Sequence, residues 1–511
     1  MTINEYFESI KHNKAKLRQF VADMPKGGEL HHHLTGAVYA ETLFAIAYNQ
    51  ELYVNLDTGR LSVGAPDPKK YPDADKYIQL TAKTFEPDEN GYKKYDFHFT
   101  RISLIDKWSV RDYQPYKYPL GPDEYFFSLF GNFIAAAGNK YLPTIVHRLK
   151  VRAKEENLQY IETIGIAPSI PKNAFLEQVD YDGYNEEFKD ACMNFYKNPE
   201  NCKNVICNLV RKILKVYEEQ YKFDTSLIYN AVKQYVLDNQ NILSVDKPDD
   251  NKQDAIAGKF DTTSVSDSDV VIRLQGYASR GGKPVDVLAQ LYIVHKAMAL
   301  APDLIVGCNL VAAENSENSM LYYKAHMIML AILREEFKNK TALGYPNLAL
   351  HAGEMTMGLV PPEQLTYHIT DAVKIAQAKR IGHGVDIVFE HNSAELLEYM
   401  KQNNIAIEIN LTSNEFILGV KGDSHPFSIY KDSGVPMVIS TDDPGILRTS
   451  ITEEYALAAY RYDLTYDDIK KLVSNSIAYS FLDDNGKAMV KKMYEAKLSE
   501  FEAKYAKLAS Y

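Results

Sequence analysis

Short apolar segments with the composition of β-strands recur along the chain, and segments of helical or loop character separate them. Eight of these segments are candidate strands: Glu29–Leu34, Leu158–Ile164, Val270–Leu274, Leu304–Leu310, Leu348–His351, Arg380–Val385, Ile405–Leu411 and Val435–Ser440. Strands that alternate with helices favour a parallel sheet. The pattern therefore predicts an α/β fold, a (β/α)8 TIM barrel.

The segments that follow the first two candidate strands are too long for ordinary strand–helix units. We therefore predict long insertions after strands 1 and 2, at about 48–145 and 168–268. The first becomes helical from about Pro122 to Glu156, and the second contains a helical region at Asn204–Leu237. A polar run at 246–269 follows, and its composition predicts an exposed or mobile loop.

The ends of the chain lie outside the predicted barrel. We predict a helical N-terminal extension at 1–23, a barrel domain at 24–490 and a C-terminal helix at 491–511. The N-terminus contains no apolar segment of the kind found in signal peptides. Because no run of about 18 or more apolar residues occurs, we expect no membrane span.

Composition and charge narrow the function classes. The 511 residues are 46% hydrophobic and 24% charged, as in ordinary globular proteins. A net charge of −11 argues against a nucleic-acid partner, because phosphate contacts need clustered Lys and Arg. The cysteines Cys192, Cys202, Cys207 and Cys308 form no C-x-x-C motif, so a metal would be held by His and carboxylates. A disulfide within 192–207 and buried free thiols both remain open.

The first chemical motif is a run of three histidines in the first candidate strand. Side chains alternate between the two faces of a strand, so His31 and His33 point to the same side and His32 to the other. Two neighbouring imidazoles suit a metal ion such as zinc. A chance polar run or an expression tag is the alternative, although a tag would be terminal.

Three further motifs lie at the ends of later candidate strands. His351 and Glu354 belong to an H-A-G-E sequence, His383 lies between two glycines, and Asp442 and Asp443 precede a proline. Taken singly, these motifs say little about function. His351 could be a buried histidine bonded to backbone, the Gly-His-Gly motif is by itself a weak signal, and Asp442 and Asp443 could be an N-cap pair of a helix. Taken together, three histidines and an aspartate form a ligand set that leaves one position open for water. A divalent metal ion in such a site lowers the pKa of the water molecule that it binds to about 7.

The motifs MPKGGELHHHLTGA, HAGE, RIGHG and STDDP occur in this order, and from about residue 24 to 480 the chain resembles the adenosine deaminase family of metal-dependent amidohydrolases. The long first insertion and the MPKGG opening are similar to the branch related to secreted growth factors. The resemblance implies one Zn²⁺ per chain, and it assigns the metal ligands and the catalytic groups. The implied ligands are His31, His33, His351 and Asp442, and the implied catalytic groups are Glu354, His383 and Asp443.

The resemblance also implies a set of substrate-binding residues: Thr35, Phe126, Phe130, Ala312 and Asp443. Phe126 and Phe130 resemble an apolar lid, although aromatic residues at helical spacing are also typical of a core. Ala312 and Glu314 fall where the family has a glycine-containing purine-binding loop. The chain departs from the compact family members in three places: Thr35 replaces an aspartate that bonds the ribose, Ala312 replaces the loop glycine, and Ile164 replaces an arginine.

The implied reaction is hydrolytic deamination of adenosine or 2′-deoxyadenosine to inosine or 2′-deoxyinosine with release of ammonia. Glu354 would protonate N1 while water, held by Asp443 and His383, attacks C6. Apart from Lys26 and Arg273, the strand ends lack basic residues, which favours a purine nucleoside over AMP. The alternatives are a related hydrolase of another aminopurine or of AMP, and a non-catalytic nucleoside-binding or signalling protein.

The resemblance to the secreted branch favours a periplasmic or secreted location, with a cytoplasmic location as the alternative. The sequence is also compatible with a homo-oligomer.

Overall fold

The computed structural model describes residues 2–69, 71–170, 180–244, 266, 268–341 and 344–508. The strands in this part of the chain are β1 (Gly28–His33), β2 (Tyr53–Asn55), β3 (Leu61–Ser62), β4 (Tyr77–Gln79), β5 (Tyr160–Ile164), β6 (Val271–Ser279), β7 (Ile305–Val311), β8 (Ala349–Ala352), β9 (Arg380–His383), β10 (Ala406–Ile409) and β11 (Met437–Ile439).

All eight candidate strands coincide with strands of the structure, namely β1 and β5 to β11. The predicted end of the third candidate at Leu274 was wrong, because β6 continues to Ser279. Arg273 therefore lies in the first half of β6 and not at its carboxyl end. The correction removes one of the two basic residues that the sequence had placed near the strand ends.

The eight strands form two parallel sheets of four, with the orders β1-β5-β6-β7 and β11-β10-β9-β8. Single parallel bridges connect the sheets at both edges. One bridge joins His32 to Asp442, beside β1 and β11, and the other joins Cys308 of β7 to Leu348, just before β8. A separate antiparallel sheet, β3-β2-β4, lies in the predicted first insertion. The structure thus has the α/β fold with parallel strands that the sequence predicts.

Helices connect the strands. The described helices are α1 (Ile3–Ile10), α2 (Lys14–Asp23), α3 (Ala40–Asn49), α4 (Phe97–Lys107), α5 (Pro122–Phe133), α6 (Leu142–Glu155), α7 (Tyr181–Met193), α8 (Pro199–Tyr221), α9 (Leu227–Leu243), α10 (Pro284–Leu300), α11 (Glu317–Leu321), α12 (Tyr323–Glu336), α13 (His368–Lys374), α14 (Ser393–Gln402), α15 (Leu411–Leu418), α16 (Phe427–Ser433), α17 (Pro444–Leu447), α18 (Ile451–Arg461), α19 (Tyr466–Ala478) and α20 (Asp484–Leu508).

Two predicted helix boundaries were wrong. The region Asn204–Leu237 is two helices, α8 and α9, because Ser226 caps the start of α9 by accepting a hydrogen bond from the Tyr229 N–H at 3.2 Å. The C-terminal helix begins at Asp484 and not at 491. The polar run at 246–269 lies outside the described residues, except for 266, 268 and 269.

The four cysteines are free thiols, so the possible disulfide within 192–207 is not formed. Three of them are buried, which is typical of structural thiols. Among the described residues, no helix has both the length and the apolar character that crossing a membrane requires.

Candidate active site

Residues at the carboxyl-terminal ends of four strands meet on one side of the structure. β1 contributes His31 and His33, β8 contributes His351, and β9 ends at His383. Asp442 follows β11 and is tied to β1 by two backbone hydrogen bonds: its N–H donates to the His31 carbonyl at 3.1 Å and its carbonyl accepts from the His33 N–H at 2.9 Å. Because carboxyl ends of parallel strands share an edge, these distant residues become neighbours.

The predicted metal ligands form one cluster. His33 Nε2 lies 3.1 Å from His351 Nε2 and 3.1 Å from Asp442 Oδ1, and His31 Nε2 lies 3.3 Å from the same Asp442 oxygen. Two sets of side chains with ligand atoms within 4.8 Å of one another occur here in the described part of the chain. One set is His31, His351, His383 and Asp442, and the other is His33, Asp442 and Asp443.

The hydrogen bonds of two histidines fit a bound metal. The Asn309 Oδ1 oxygen accepts from the Leu310 N–H at 2.8 Å and lies 2.9 Å from His351 Nδ1, so His351 donates from Nδ1. His31 Nδ1 lies 2.7 Å from Glu408 Oε2 in the same way. When the ring is neutral, Nε2 keeps its lone pair and lies 3.3 Å from the Asp442 carboxylate. Burial alone would lower the pKa of His31, but Asp442 and Glu408 raise it to about 10, so this position favours a positive charge. Lone pairs that converge with a carboxylate suit a divalent cation. The assignment as ligands stays a prediction.

Two buried carboxyl groups lie beside the cluster. Burial raises the pKa of Glu354 well above its usual value, and the negative charge of Asp442 raises it further. Burial also raises the pKa of Asp443 to about 8, and its Oδ1 atom has no hydrogen-bond partner among the residues that the structure describes. Burial and the neighbouring negative charge therefore favour the protonated form of both carboxyl groups. The helix N-cap alternative for Asp443 gains no support: Asp443 precedes α17, but its side chain makes no capping hydrogen bond.

His383 completes the group with a constrained backbone and a neutral ring. Its φ angle is 68° and that of Asp442 is 64°, and non-glycine residues adopt such angles rarely and often at functional sites. Burial lowers the pKa of the His383 imidazole to about 3. Its Nδ1 atom lies 3.0 Å from Asn414 Nδ2, whereas Nε2 has no hydrogen-bond partner in the described part of the chain.

Two glycines allow the close packing of the site. A Cβ atom on Gly36 would lie 1.4 Å from Asp443 Oδ1, and one on Gly382 would lie 2.6 Å from His31 Cε1. Both distances are far below van der Waals contact. Glycine is therefore needed at these positions because a side chain would displace a functional group.

A cavity of about 290 Å³ opens onto this group. Its lining includes all five residues that the sequence assigned to substrate binding: Thr35, Phe126, Phe130, Ala312 and Asp443. The rest of the wall is mainly aromatic and aliphatic, and it includes Ile164. None of the described residues that line the cavity is Lys or Arg.

The sequence prediction missed several residues that support the site. Glu408 contacts His31, Asn309 contacts His351, and the Ser413 hydroxyl donates to Asp442 Oδ2 at 2.7 Å. Glu314, which the sequence had placed in the purine-binding loop, accepts from the backbone N–H of Glu354 at 3.0 Å. Only Glu408 carried a signal in the sequence, because a lone carboxylate inside an apolar strand needs a buried partner.

A family model described as adenosine deaminase matches residues 175–496, which is more than half of the chain. The matched range includes His351 and Asp442, whereas His31 and His33 of β1 precede it.

The adenosine deaminase of Plasmodium vivax is 31% identical over 170 residues, which are 33% of this chain and 44% of that relative. The adenosine deaminase of Aliivibrio fischeri is 36% identical over 123 residues, which are 24% of this chain and 36% of the relative. The matched segments thus span less than half the length of these curated relatives.

The solved apo structure of the N6-methyl-AMP deaminase from Arabidopsis thaliana matches with a TM-score of 0.53 at 17% sequence identity. The match covers 94% of this chain and 99% of that one. At this identity the likeness concerns the fold alone. The relation to the growth-factor branch stays a prediction. Because the family model covers residues 175–496, the chain belongs to the adenosine deaminase family of the amidohydrolase superfamily.

Proposed function

We propose that this protein is a zinc-dependent hydrolase that deaminates adenosine and 2′-deoxyadenosine to inosine and 2′-deoxyinosine, with release of ammonia. The observation that carries the proposal is the apolar cavity that opens onto His351, Glu354 and Asp443. An apolar wall suits a purine base, and the polar groups at its end are those that the reaction needs.

We also propose that the two parallel sheets form one closed (β/α)8 barrel, with the insertions that the sequence predicts. The parallel bridges His32–Asp442 and Cys308–Leu348 support a ring of eight strands, since each bridge joins two edge strands. The cluster of histidine and carboxylate side chains would then lie at the carboxyl-terminal mouth of the barrel, where barrel enzymes place their catalytic residues.

The four ligands His31, His33, His351 and Asp442 would hold one zinc ion. When bound, such an ion would lower the pKa of a water molecule to about 7. The chain itself fixes the two ring orientations that binding requires, through Glu408 on His31 and Asn309 on His351. Such supporting hydrogen bonds commonly raise metal affinity or activity by about 10- to 100-fold.

The remaining groups would move the protons. Glu354, whose pKa is raised, would donate its proton to N1 of the purine, and the C6 carbon would then accept the oxygen of water. Asp443 would orient that water by accepting a hydrogen bond, and His383 would donate one from Nε2. The water would supply two protons: one would reach the amino group, which leaves C6 as ammonia, and the other would restore the protonated form of Glu354. The proton that Glu354 donated would stay on N1 of inosine.

The cavity favours a nucleoside over a nucleotide. A bound phosphate needs charged donors, usually Arg, Lys or a helix N-terminus. Each missing charge-assisted hydrogen bond is worth about 1.5 to 3 kcal/mol, or roughly 10- to 150-fold in binding. Because none of the described lining residues is Lys or Arg, AMP would gain little from its phosphate.

The test measures ammonia release from adenosine, 2′-deoxyadenosine, AMP and a panel of other aminopurines, before and after treatment with a chelator. We expect kcat/KM for adenosine to exceed that for AMP by about tenfold or more, and we expect readdition of zinc to restore activity. Equal or faster turnover of AMP would contradict the nucleoside assignment. If the zinc-loaded protein released no ammonia from any purine but still bound adenosine, the non-catalytic alternative would hold.

A further inference from the structure

Behind His383 lies a series of three hydrogen bonds that ends at a backbone amide. The Phe427 N–H donates to His425 Nδ1 at 3.1 Å, and His425 Nε2 lies 3.1 Å from Asn414 Oδ1. The Nδ2 atom of Asn414 in turn lies 3.0 Å from His383 Nδ1. The side chains of His425, Asn414 and His383 are buried, so bulk water does not compete for these bonds.

The backbone amide determines the direction of every bond in the series. A backbone N–H can only donate, so His425 Nδ1 must accept and carries no proton. The single ring proton of His425 is then on Nε2, which donates to an oxygen of the Asn414 side chain. The amide orientation of Asn414 follows from this network, since a flipped amide would place two donors against each other.

With its oxygen on His425, Asn414 presents its NH₂ group to His383. An amide NH₂ can only donate, so His383 Nδ1 must accept and its ring proton lies on Nε2. Asn410 Nδ2 also lies 3.4 Å from the same Nδ1 atom. The Glu354 Oε1 atom is 3.6 Å from Nδ1, which is too far for a hydrogen bond.

We propose that Asn414 and His425 are positioning residues that hold His383 as the neutral tautomer with its proton on Nε2. His383 would then act at the site as a hydrogen-bond donor to the attacking oxygen and would not act as a general base. Reversal of the tautomer would leave a buried donor facing a donor, which disfavours it by about 10- to 100-fold. The catalytic consequence rests on the proposed deaminase function, whereas the tautomer does not.

The first experiment reads the tautomer directly in the full-length zinc-loaded protein. Histidine labelled with ¹⁵N gives separate NMR shifts for protonated and unprotonated ring nitrogens, and the His383 signals are assigned by their loss in His383→Gln. We expect Nε2 to have the shift of a protonated nitrogen and Nδ1 that of an unprotonated one. A proton on Nδ1 of the wild-type protein would overturn the proposal.

The second experiment reverses the direction of the hydrogen bond between Asn414 and His383 while the shape of side chain 414 stays nearly the same. Asn414→Asp replaces the NH₂ group by an oxygen, which can only accept, so His383 should acquire a proton on Nδ1. We expect kcat to fall by about 10- to 100-fold with a smaller change in KM. Asn403→Asp, which adds the same charge at an exposed position, is the matched control and should change neither the His383 signals nor kcat.

The third experiment separates the role of His425 from simple packing. His425→Gln keeps a side-chain N–H that can reach Asn414, whereas His425→Phe does not, so glutamine should preserve the His383 tautomer and phenylalanine should mix the two tautomers. Unchanged His383 signals in a folded Asn414→Asp protein would overturn the proposal. The expected tautomer in a protein that deaminates no purine would support the inference and refute the proposed reaction.

Discussion

Replacement of Ala312 by glycine should stabilise the protein. Ala312 follows β7 with a φ angle of 109°, in a region that favours glycine. The conformation is held in place because the Arg280 Nε–H donates to the Ala312 carbonyl at 2.7 Å. The side chain also lines the cavity, so the strained backbone lies directly at the candidate substrate site.

The expected gain follows from two opposing contributions. A non-glycine residue in such a backbone conformation costs about 1 to 3 kcal/mol. Glycine loses more conformational entropy on folding, which costs about 0.4 to 1 kcal/mol. The free energy of unfolding should therefore rise by roughly 0 to 2.6 kcal/mol, with about 1 kcal/mol as the central expectation. For a chain of 511 residues, each kcal/mol shifts Tm by about 1 °C.

Differential scanning fluorimetry at a fixed scan rate measures this shift. Ala313→Gly is the matched control, because Ala313 is not among the described residues with positive φ. The control should lower Tm by up to about 1 °C, while Ala312→Gly should raise it by about the same amount. If both substitutions lowered Tm equally, the strain attributed to Ala312 would not exist.

Three further substitutions test the site. Glu354→Gln should keep the metal and lose about 10²- to 10⁴-fold in kcat, because an amide cannot supply the proton; activity within a few-fold of the wild type would remove Glu354 from the mechanism. His351→Ala should lower the metal content, measured by elemental analysis, from about one ion per chain; a full complement of metal with full activity would refute the ligand assignment. Gly36→Ala should displace Asp443 and lower kcat by about 100-fold or more, whereas Gly64→Ala, where a Cβ meets no atom of the described residues within 4 Å, should not; equal kinetics for the two variants would show that Asp443 tolerates displacement.

The histidine and aspartate cluster could be predicted from sequence because it depends on two simple rules. Alternation along a strand puts His31 and His33 on one face, and parallel strands bring their carboxyl ends to one edge. Neither rule needs the details of side-chain packing. The same rules placed His351 and Asp442 beside them. In the structure, His33 contacts His351, and both His31 and His33 lie within 3.3 Å of an Asp442 oxygen.

The length of β6 could not be predicted in this way. Gly276 lies within the strand although glycine is uncommon there. The structure gives the reason: a Cβ on Gly276 would lie 2.7 Å from Tyr235 Oη, so the glycine makes room for helix α9. Its presence reflects contact with a residue distant in sequence, and a local pattern contains no information about such contact.

The supporting residues depend on register and were missed for the same reason. Glu408 lies opposite Gly382 in the pairing of β10 with β9, and a glycine at that position lets the carboxylate reach His31. Asn414 is on helix α15, and the role proposed for it follows only from the positions of His425 and His383. Sequence motifs mark the groups that react, whereas the groups that orient them depend on three-dimensional packing.

The buried charges beside His31 give a further physical argument for a divalent cation. Arg380 bonds to both Glu162 and Glu408, and these three side chains are buried. One guanidinium between two carboxylates leaves one negative charge, and Asp442 adds a second, 3.3 Å from His31 Nε2. Burial alone would lower the pKa of His31, but its contacts with Asp442 and Glu408 raise it to about 10, so a proton on this ring balances only one of the two charges. Buried charges are costly unless they are compensated. A divalent cation at the histidines would balance these two charges, so metal binding and the stability of the folded interior should be coupled.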